Sequence, residues 1–213
     1  VEKIADYVLQ DWKRKTKNGK FNAFFAVSSI EALKKYYKLL AAKKPDDFKI
    51  ATIFTYQANE DEAIDLDVDA FPEEGEVVNQ HSRDFLESCI KDYNKLFSTN
   101  FSTDRFYNYY RDLQERIKKR EVDLVLVVNI YLTGFDSPRL NTLYVDKNLR
   151  YHGLVQAYSR TNRLLDSDKP HGNIVSFRNL KDATDKALAL YGDENAKEIV
   201  FKKPYGQQKK EFE

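Results

Sequence analysis

A chain of 213 residues with 42% hydrophobic content is long enough for one large α/β domain, or for a domain and part of a neighbour, around a real core. Its 35 basic and 34 acidic residues leave a net charge of +1, so no global field marks it as a nucleic-acid binder, although a local basic groove is compatible with neutrality. No apolar run approaches the roughly 20 residues that span a bilayer, no signal peptide is visible, and one cysteine, Cys89, excludes a disulfide framework, which points to a reduced, cytoplasmic setting. The chain contains no Met, not even at position 1, and is expected to be a piece of a longer polypeptide.

In chain order, Ile4, Val8, Leu9 and Trp12 recur at helical spacing and predict an entry helix that Asn18-Gly19 ends. Residues 21–27 predict a strand, Ser28-Ser29 a cap for a helix running to about residue 42, and residues 50–54 a second strand. This is the β-α-β rhythm of a parallel sheet. Residues 57–80 interrupt it with nine acids and no base. Asp65, Asp67, Asp69 and Glu76 fall at calcium-loop spacing, but Ala70 stands where the sharp turn needs Gly, and Pro72 removes a backbone donor. The stretch therefore reads as a solvated, mobile insertion. Residues 82–97 and 103–119 predict two helices. The first carries Cys89 among Phe85, Leu86, Ile90 and Tyr93 as a core residue, and the second places Phe106, Tyr109, Tyr110, Leu113 and Ile117 at core spacing.

The segment Leu124-Val125-Leu126-Val127-Val128 is apolar on both parities, as a central parallel strand covered on both faces must be. A polar turn follows, then a second strand over residues 141–145, then a helix. With Gln156 at zero and about 100° per residue, Arg160 lies near about 40° and Arg163 near about −20°, with Ser159 beside them, while Leu154, Tyr158, Thr161 and Leu165 face the other way. One side of the helix is thus expected to pack on the sheet. The other presents two guanidinium groups with no acid near in sequence, the side chain best suited to bidentate phosphate contact. In doubly wound sheets ligands sit outside the carboxyl ends of the strands, where the polar residues that follow these two strands fall. Residues 173–177 predict a last strand and 180–191 a last helix.

These residues resemble a known family. Thr133-Gly134-Phe135-Asp136 is similar to motif V, and Gln156-Ala157-Tyr158-Ser159-Arg160-Thr161-Asn162-Arg163 to motif VI, of the second RecA-like domain of superfamily 2 helicases and translocases. Ser159 and Asn162 replace the two glycines of the commonest motif VI pattern. That departure, the run from Leu132 to Lys147, and Ser82-Arg83-Asp84-Phe85-Leu86-Glu87-Ser88 look like the R subunit of type I restriction-modification enzymes over nearly the whole chain. The resemblance implies a RecA-like parallel sheet with helices on both faces over residues 1–180, with the acidic insertion at 57–80, and the beginning of a helical domain over 181–213. It implies Arg163 as the arginine finger on the γ-phosphate of ATP and Arg160 as a second γ-phosphate contact. Gln156 would be an orienting partner, and Gly134 and Asp136 the turn near the ribose. Ser28, Ser29 and Thr133 would touch the DNA backbone; Ser28 or Ser29 reads equally as a plain helix N-cap, and Asp136-Ser137-Pro138 as an ordinary turn.

The implied partners are double-stranded DNA, the methyltransferase and specificity subunits, and the first RecA-like and nuclease domains of the same polypeptide. What is missing from the sequence fits half a motor. The Gly-Lys pair Gly19-Lys20 lacks the upstream Gly and following hydroxyl of a phosphate loop. No Glu-x-Lys occurs to build a nuclease, and His81, His152 and His171 lack ligand spacing. The phosphate loop and the Mg²⁺ ligands are expected on the first motor domain, so this chain alone is expected to be inactive. Two other readings stay open: a superfamily 2 remodeller or helicase of different biology, and a non-enzymatic RecA-like scaffold.

Overall fold

The computed structural model describes residues 1–55, 80–132, 134–163 and 169–191. Five strands, β1 (Asn22–Val27), β2 (Ile50–Ile53), β3 (Leu124–Val127), β4 (Leu140–Asp146) and β5 (Asn173–Ser176), form an all-parallel sheet in the order β2-β3-β1-β4-β5. Every residue of β1, β3 and β4 is buried, as for central parallel strands covered on both faces; β3 is apolar on both parities, while β1 and β4 also bury Asn22, Asn141, Thr142 and Asp146. Burying a large aliphatic or aromatic side chain of this kind stabilises the fold by roughly 1.5–3 kcal/mol, so β1 alone, with Phe24, Phe25 and Val27 at 0% exposure, anchors the sheet.

Alternate residues of β1 define two layers. Phe25 packs on Tyr36 of α2 (Ile30–Lys43) at 4.7 Å, and on the same face the Tyr144 hydroxyl donates to Asp11 of α1 (Glu2–Lys15) at 3.3 Å. On the opposite face Phe24 packs on Phe135 at 5.5 Å. There too the amide of buried Asn22 donates to the carbonyl of Ile117 in α4 (Phe106–Lys118) at 2.7 Å. The fold is thus RecA-like α/β, with helices on both faces. α3 (Gln80–Phe97) meets α4 through Tyr93 and Tyr109, whose rings cross at 5.0 Å. Cys89 is buried as expected, and burial pushes its thiol up to about 12, which makes it inert at neutral pH.

Three expectations meet a different outcome or fall outside the described residues. The helix bearing the arginines, α5 (Tyr151–Ser159), stops before Arg160 and Arg163 rather than continuing through them. Its exit tightens into i→i+3 bonds, from the Arg160, Thr161 and Asn162 amides to the carbonyls of Ala157, Tyr158 and Ser159, so α-helical angles do not describe the far end of motif VI. Only Gln80 of the acidic stretch 57–80 is described, so the calcium question lies outside the described residues. Most of 181–213 lies there too. α6 (Lys181–Tyr191) packs against α5 and buries Thr184 and Ala187. No helix among the described residues is long and apolar enough to cross a membrane.

Candidate nucleotide-facing and nucleic-acid-facing sites

β3 and β4 are parallel but are separated by β1, so the segment 128–139 that joins them must travel from the carboxyl end of one to the amino end of the other across the Phe24 face. Aromatic packing holds it there. The Tyr131 ring stacks on Phe24 at 6.0 Å and meets Phe135 at 4.7 Å, and the Tyr131 hydroxyl donates to the Tyr110 carbonyl at 2.8 Å. Burial then alternates: Phe135 and Ser137 point inward while Gly134 and Asp136 are exposed. Gly134 sits at φ +68°, a conformation that side chains with a Cβ rarely adopt, which explains a glycine at the turn that presents Asp136. Thr133 lies outside the described residues.

The end of α5 comes down on this turn. Leu154 and Thr161 of the expected packing face are buried against the body of the domain and Tyr158 is half-buried, Leu165 lying outside the described residues; Ala157 is buried as well, and Gln156 and Ser159 are half-buried. The Arg160 guanidinium donates to the Gln156 carbonyl at 3.1 Å, to the Ser159 hydroxyl at 3.0 Å and to the Phe135 carbonyl. Three of its five N–H donors are thereby committed to the protein, and burial pulls its pKa below the ordinary arginine value. Arg163 pairs with Asp136, each side chain about half exposed at 54% and 52%. The acid that sequence-local reasoning did not find beside Arg163 is therefore supplied by the other motif. Gln156 contacts His152 at 2.7 Å.

The chain after Asn162 is steered by a close approach. A Cβ on Gly172 would lie 2.2 Å from the Thr161 hydroxyl, so only glycine lets the strand entering β5 pass the turn that delivers Arg163. Next to it, Lys169 is buried at 1% exposure, and its ammonium donates to the carbonyls of Leu140 (2.6 Å) and Pro138 (3.3 Å). Burial, and after it the charge of Arg163, lowers its pKa to about 8. Leu140 opens β4, so this cationic cluster lies toward the amino end of β4. The polar turn that leaves β3, expected at the carboxyl ends of the strands, instead runs along the Phe24 face so that its Phe135-Asp136 part lies here, where α5, which starts at the carboxyl rim, comes down on it.

The carboxyl rim itself holds a different set. Ser28 is exposed at the end of β1, and Ser29 caps α2, its hydroxyl accepting the Ala32 amide at 3.2 Å. The N-cap reading thus holds for Ser29 and leaves Ser28 with its face to solvent. Past β4, the Lys147 ammonium donates to the Val128 carbonyl at 3.0 Å and to the Asn129 side-chain oxygen. On the other side of the strand end, Asp146 accepts from the Tyr36 hydroxyl and from Arg178, each at 2.6 Å. Sequence reasoning missed Lys147 and Lys169. The one available signal was the position of Lys147 directly after the predicted strand and Asp146, where polar residues sit at a sheet end.

Comparison with known proteins gives one answer along the chain. Residues 19–179 match the family model described as type I restriction enzyme subunit R domain 3. The chain is similar to the type I restriction enzyme SauCOLORF180P endonuclease subunit of Staphylococcus aureus strain COL, at 44% identity over 219 residues, covering 100% of this chain and 22% of that protein. It is similar to the same degree, and over the same shares, to the SsaAORF53P endonuclease subunit of Staphylococcus saprophyticus. The putative MjaVIIP endonuclease subunit of Methanocaldococcus jannaschii is 29% identical over 198 residues, 90% of this chain and 16% of that protein.

Proposed function

The chain belongs to the type I restriction enzyme R subunit family, in the part described as domain 3, and from that premise we propose that it is the second RecA-like motor domain of an ATP-driven double-stranded DNA translocase and endonuclease subunit. It spans 22% of the length of the staphylococcal relatives, so the activity belongs to a longer polypeptide. The observation that carries the reading is the convergence of Arg160 and Arg163 on the Phe135-Asp136 turn, which joins the two motif-like stretches into one cationic site.

The donor set fits a phosphate. Bound ATP supplies a γ-phosphoryl group whose transfer to water drives the motor. Arg163 is the side chain free to meet it. A surface ion pair such as Arg163 with Asp136 is worth about 0–1 kcal/mol, whereas a hydrogen bond to a charged group contributes about 1.5–3 kcal/mol, so a phosphate outcompetes Asp136 for the guanidinium fork. Arg160 has two donors left and is held by the protein, so its first role is to fix the Phe135 carbonyl and with it Asp136; its remaining donors can face the same phosphate. Gln156 orients Arg160 through its carbonyl, and Gly134 with Asp136 forms the turn on the ribose side. The phosphate loop and the Mg²⁺ ligands belong to the first motor domain. Ser28 and Thr133 are the hydroxyls assigned to the DNA backbone, Ser29 being engaged in the α2 cap, and the methyltransferase and specificity subunits complete the assembly.

The test is Arg163→Ala in the full-length subunit assembled with its partners. ATP affinity by titration should stay within a few-fold, while turnover in the presence of DNA should fall by about 10³ or more, the usual worth of an arginine finger. Arg163→Lys should rescue little, because an ammonium cannot reproduce the planar fork. Turnover within a few-fold of the parent would remove the finger role and leave the scaffold reading in its place.

A further inference from the structure

Lys147 stands out on energetic grounds. It is half-buried, and among the described residues no carboxylate pairs with it. Burial alone lowers its pKa to about 8. A desolvated ammonium without a counter-ion is less favourable for stability than an apolar side chain of the same length, so stability does not account for a lysine here.

Its hydrogen bonds suggest what does. Ala26 of β1 is in register with Val127 on one side and Val145 on the other, so the carboxyl ends of β3, β1 and β4 lie nearly level. β3 and β4 are not neighbours; two strand spacings, roughly 10 Å, separate them. Lys147 reaches from the end of β4 over the end of β1 to the Val128 carbonyl and the Asn129 side chain, the first residues of segment 128–139. Exposed Ser28 follows β1 between them. The same segment, clamped midway by Tyr131 on Phe24, ends at the Phe135 carbonyl that holds Arg160 and at Asp136, which holds Arg163.

We propose that Lys147 is a positioning residue that fastens the rim end of segment 128–139 to β4, so that backbone contact with DNA at the rim is transmitted along this segment to the Phe135-Asp136 turn. The proposal rests on the motor reading above. It assigns Lys147 neither to the nucleotide nor to the DNA: its ammonium is directed at the protein's own chain.

The experiment uses the full-length subunit assembled with its partners, with Lys147→Met, Asn129→Ala and the double variant. Lys147→Met should melt close to the parent, because the hydrogen bonds it loses are offset by the removal of a desolvated charge, yet amide exchange in 128–136 should quicken by about tenfold as that segment loses its fastening. With duplex DNA, kcat for ATP should drop by about tenfold, within the usual range of coupling between sites, while KM for ATP and the half-saturating DNA concentration stay within a few-fold. Asn129→Ala should act in the same direction, and the double variant should be no worse than Lys147→Met, since both cut one link. A lower melting temperature with parent-like kinetics would reduce Lys147 to a structural brace. A raised half-saturating DNA concentration at unchanged kcat would make it a DNA contact. Either overturns the proposal, as does unchanged amide exchange. If the parent itself shows no DNA-stimulated turnover, the motor reading fails, and the exchange and melting results still decide whether Lys147 fastens the segment.

Discussion

The two ends of segment 128–139 use positive charge in opposite ways. At the rim, the cation Lys147 is half-buried and its hydrogen bonds go to the protein's own chain, while the neutral hydroxyl of Ser28 beside it is exposed to solvent. At the amino end of β4, Arg163 is half exposed and held by one exposed carboxylate. A half-buried, internally bonded ammonium is a fixed part of the frame, whereas a surface pair worth about 0–1 kcal/mol exchanges readily for another anion. The difference teaches where each ligand is expected to act: a strong anion at the exchangeable guanidinium, and a weakly and uniformly recognised backbone at the hydroxyl rim.

Arg160 sharpens the comparison with the largest expected effect of the remaining variants. It resembles Arg163 in sequence but Lys147 in environment, half-buried and bonded to carbonyls. Arg160→Met leaves the Phe135 carbonyl without this partner, and should lower stability by about 1–3 kcal/mol as well as turnover, where Arg163→Ala lowers turnover alone. Denaturant unfolding beside steady-state hydrolysis checks it; full stability with lost turnover would move Arg160 into the same class as Arg163.

The buried lysines predict a pH dependence of intermediate size. Lys169 has a folded-state pKa of about 8, below the ordinary lysine value of 10.5, so the unfolded chain binds more protons between those values and stability rises with pH across that window. The penalty for burying its charge is fully present below pH 8 and relieved above it. Between pH 7 and pH 9.5 the stability difference between the parent and Lys169→Met should therefore move in the parent's favour by on the order of 1–2 kcal/mol. A flat difference in paired denaturation curves would mean that the ammonium is better solvated than its burial indicates.

The smallest effects belong to the hydroxyls proposed to touch the DNA backbone. Ser28→Ala and Thr133→Val should each weaken DNA-stimulated hydrolysis by only about a few-fold, and equally on tracks of different base composition, because backbone contacts carry no sequence information. A loss confined to some sequences would contradict backbone contact.

Much of the fold was legible in the sequence because burial on both faces writes short, mostly apolar runs: β1, β3 and β4 lie within a residue of their expected places, and Cys89 and Tyr93 are core residues as their spacing indicates. The residue set around Arg160 and Arg163 was legible as motifs, but its geometry was not. Helical angles cannot foresee that α5 tightens and ends at Ser159, because that depends on Thr161 packing against Gly172, a contact made by distant chain. Nor can they pair Arg163 with Asp136, which the crossing of segment 128–139 over β1 brings near. Lys147 and Lys169 escaped because a lysine reads as surface until the strand order that buries it is known.

The most direct test of the division between the two regions is ATP turnover of the assembled full-length enzyme as a function of duplex DNA concentration, for the parent, Arg163→Ala and a Ser28→Ala, Thr133→Val double variant. The hydroxyl variant should need several-fold more DNA for half-maximal stimulation while keeping kcat near the parent's, and Arg163→Ala should keep the parent's DNA requirement while losing kcat by about 10³ or more. If both variants shift the same parameter, rim and face are not separate sites and the account is contradicted.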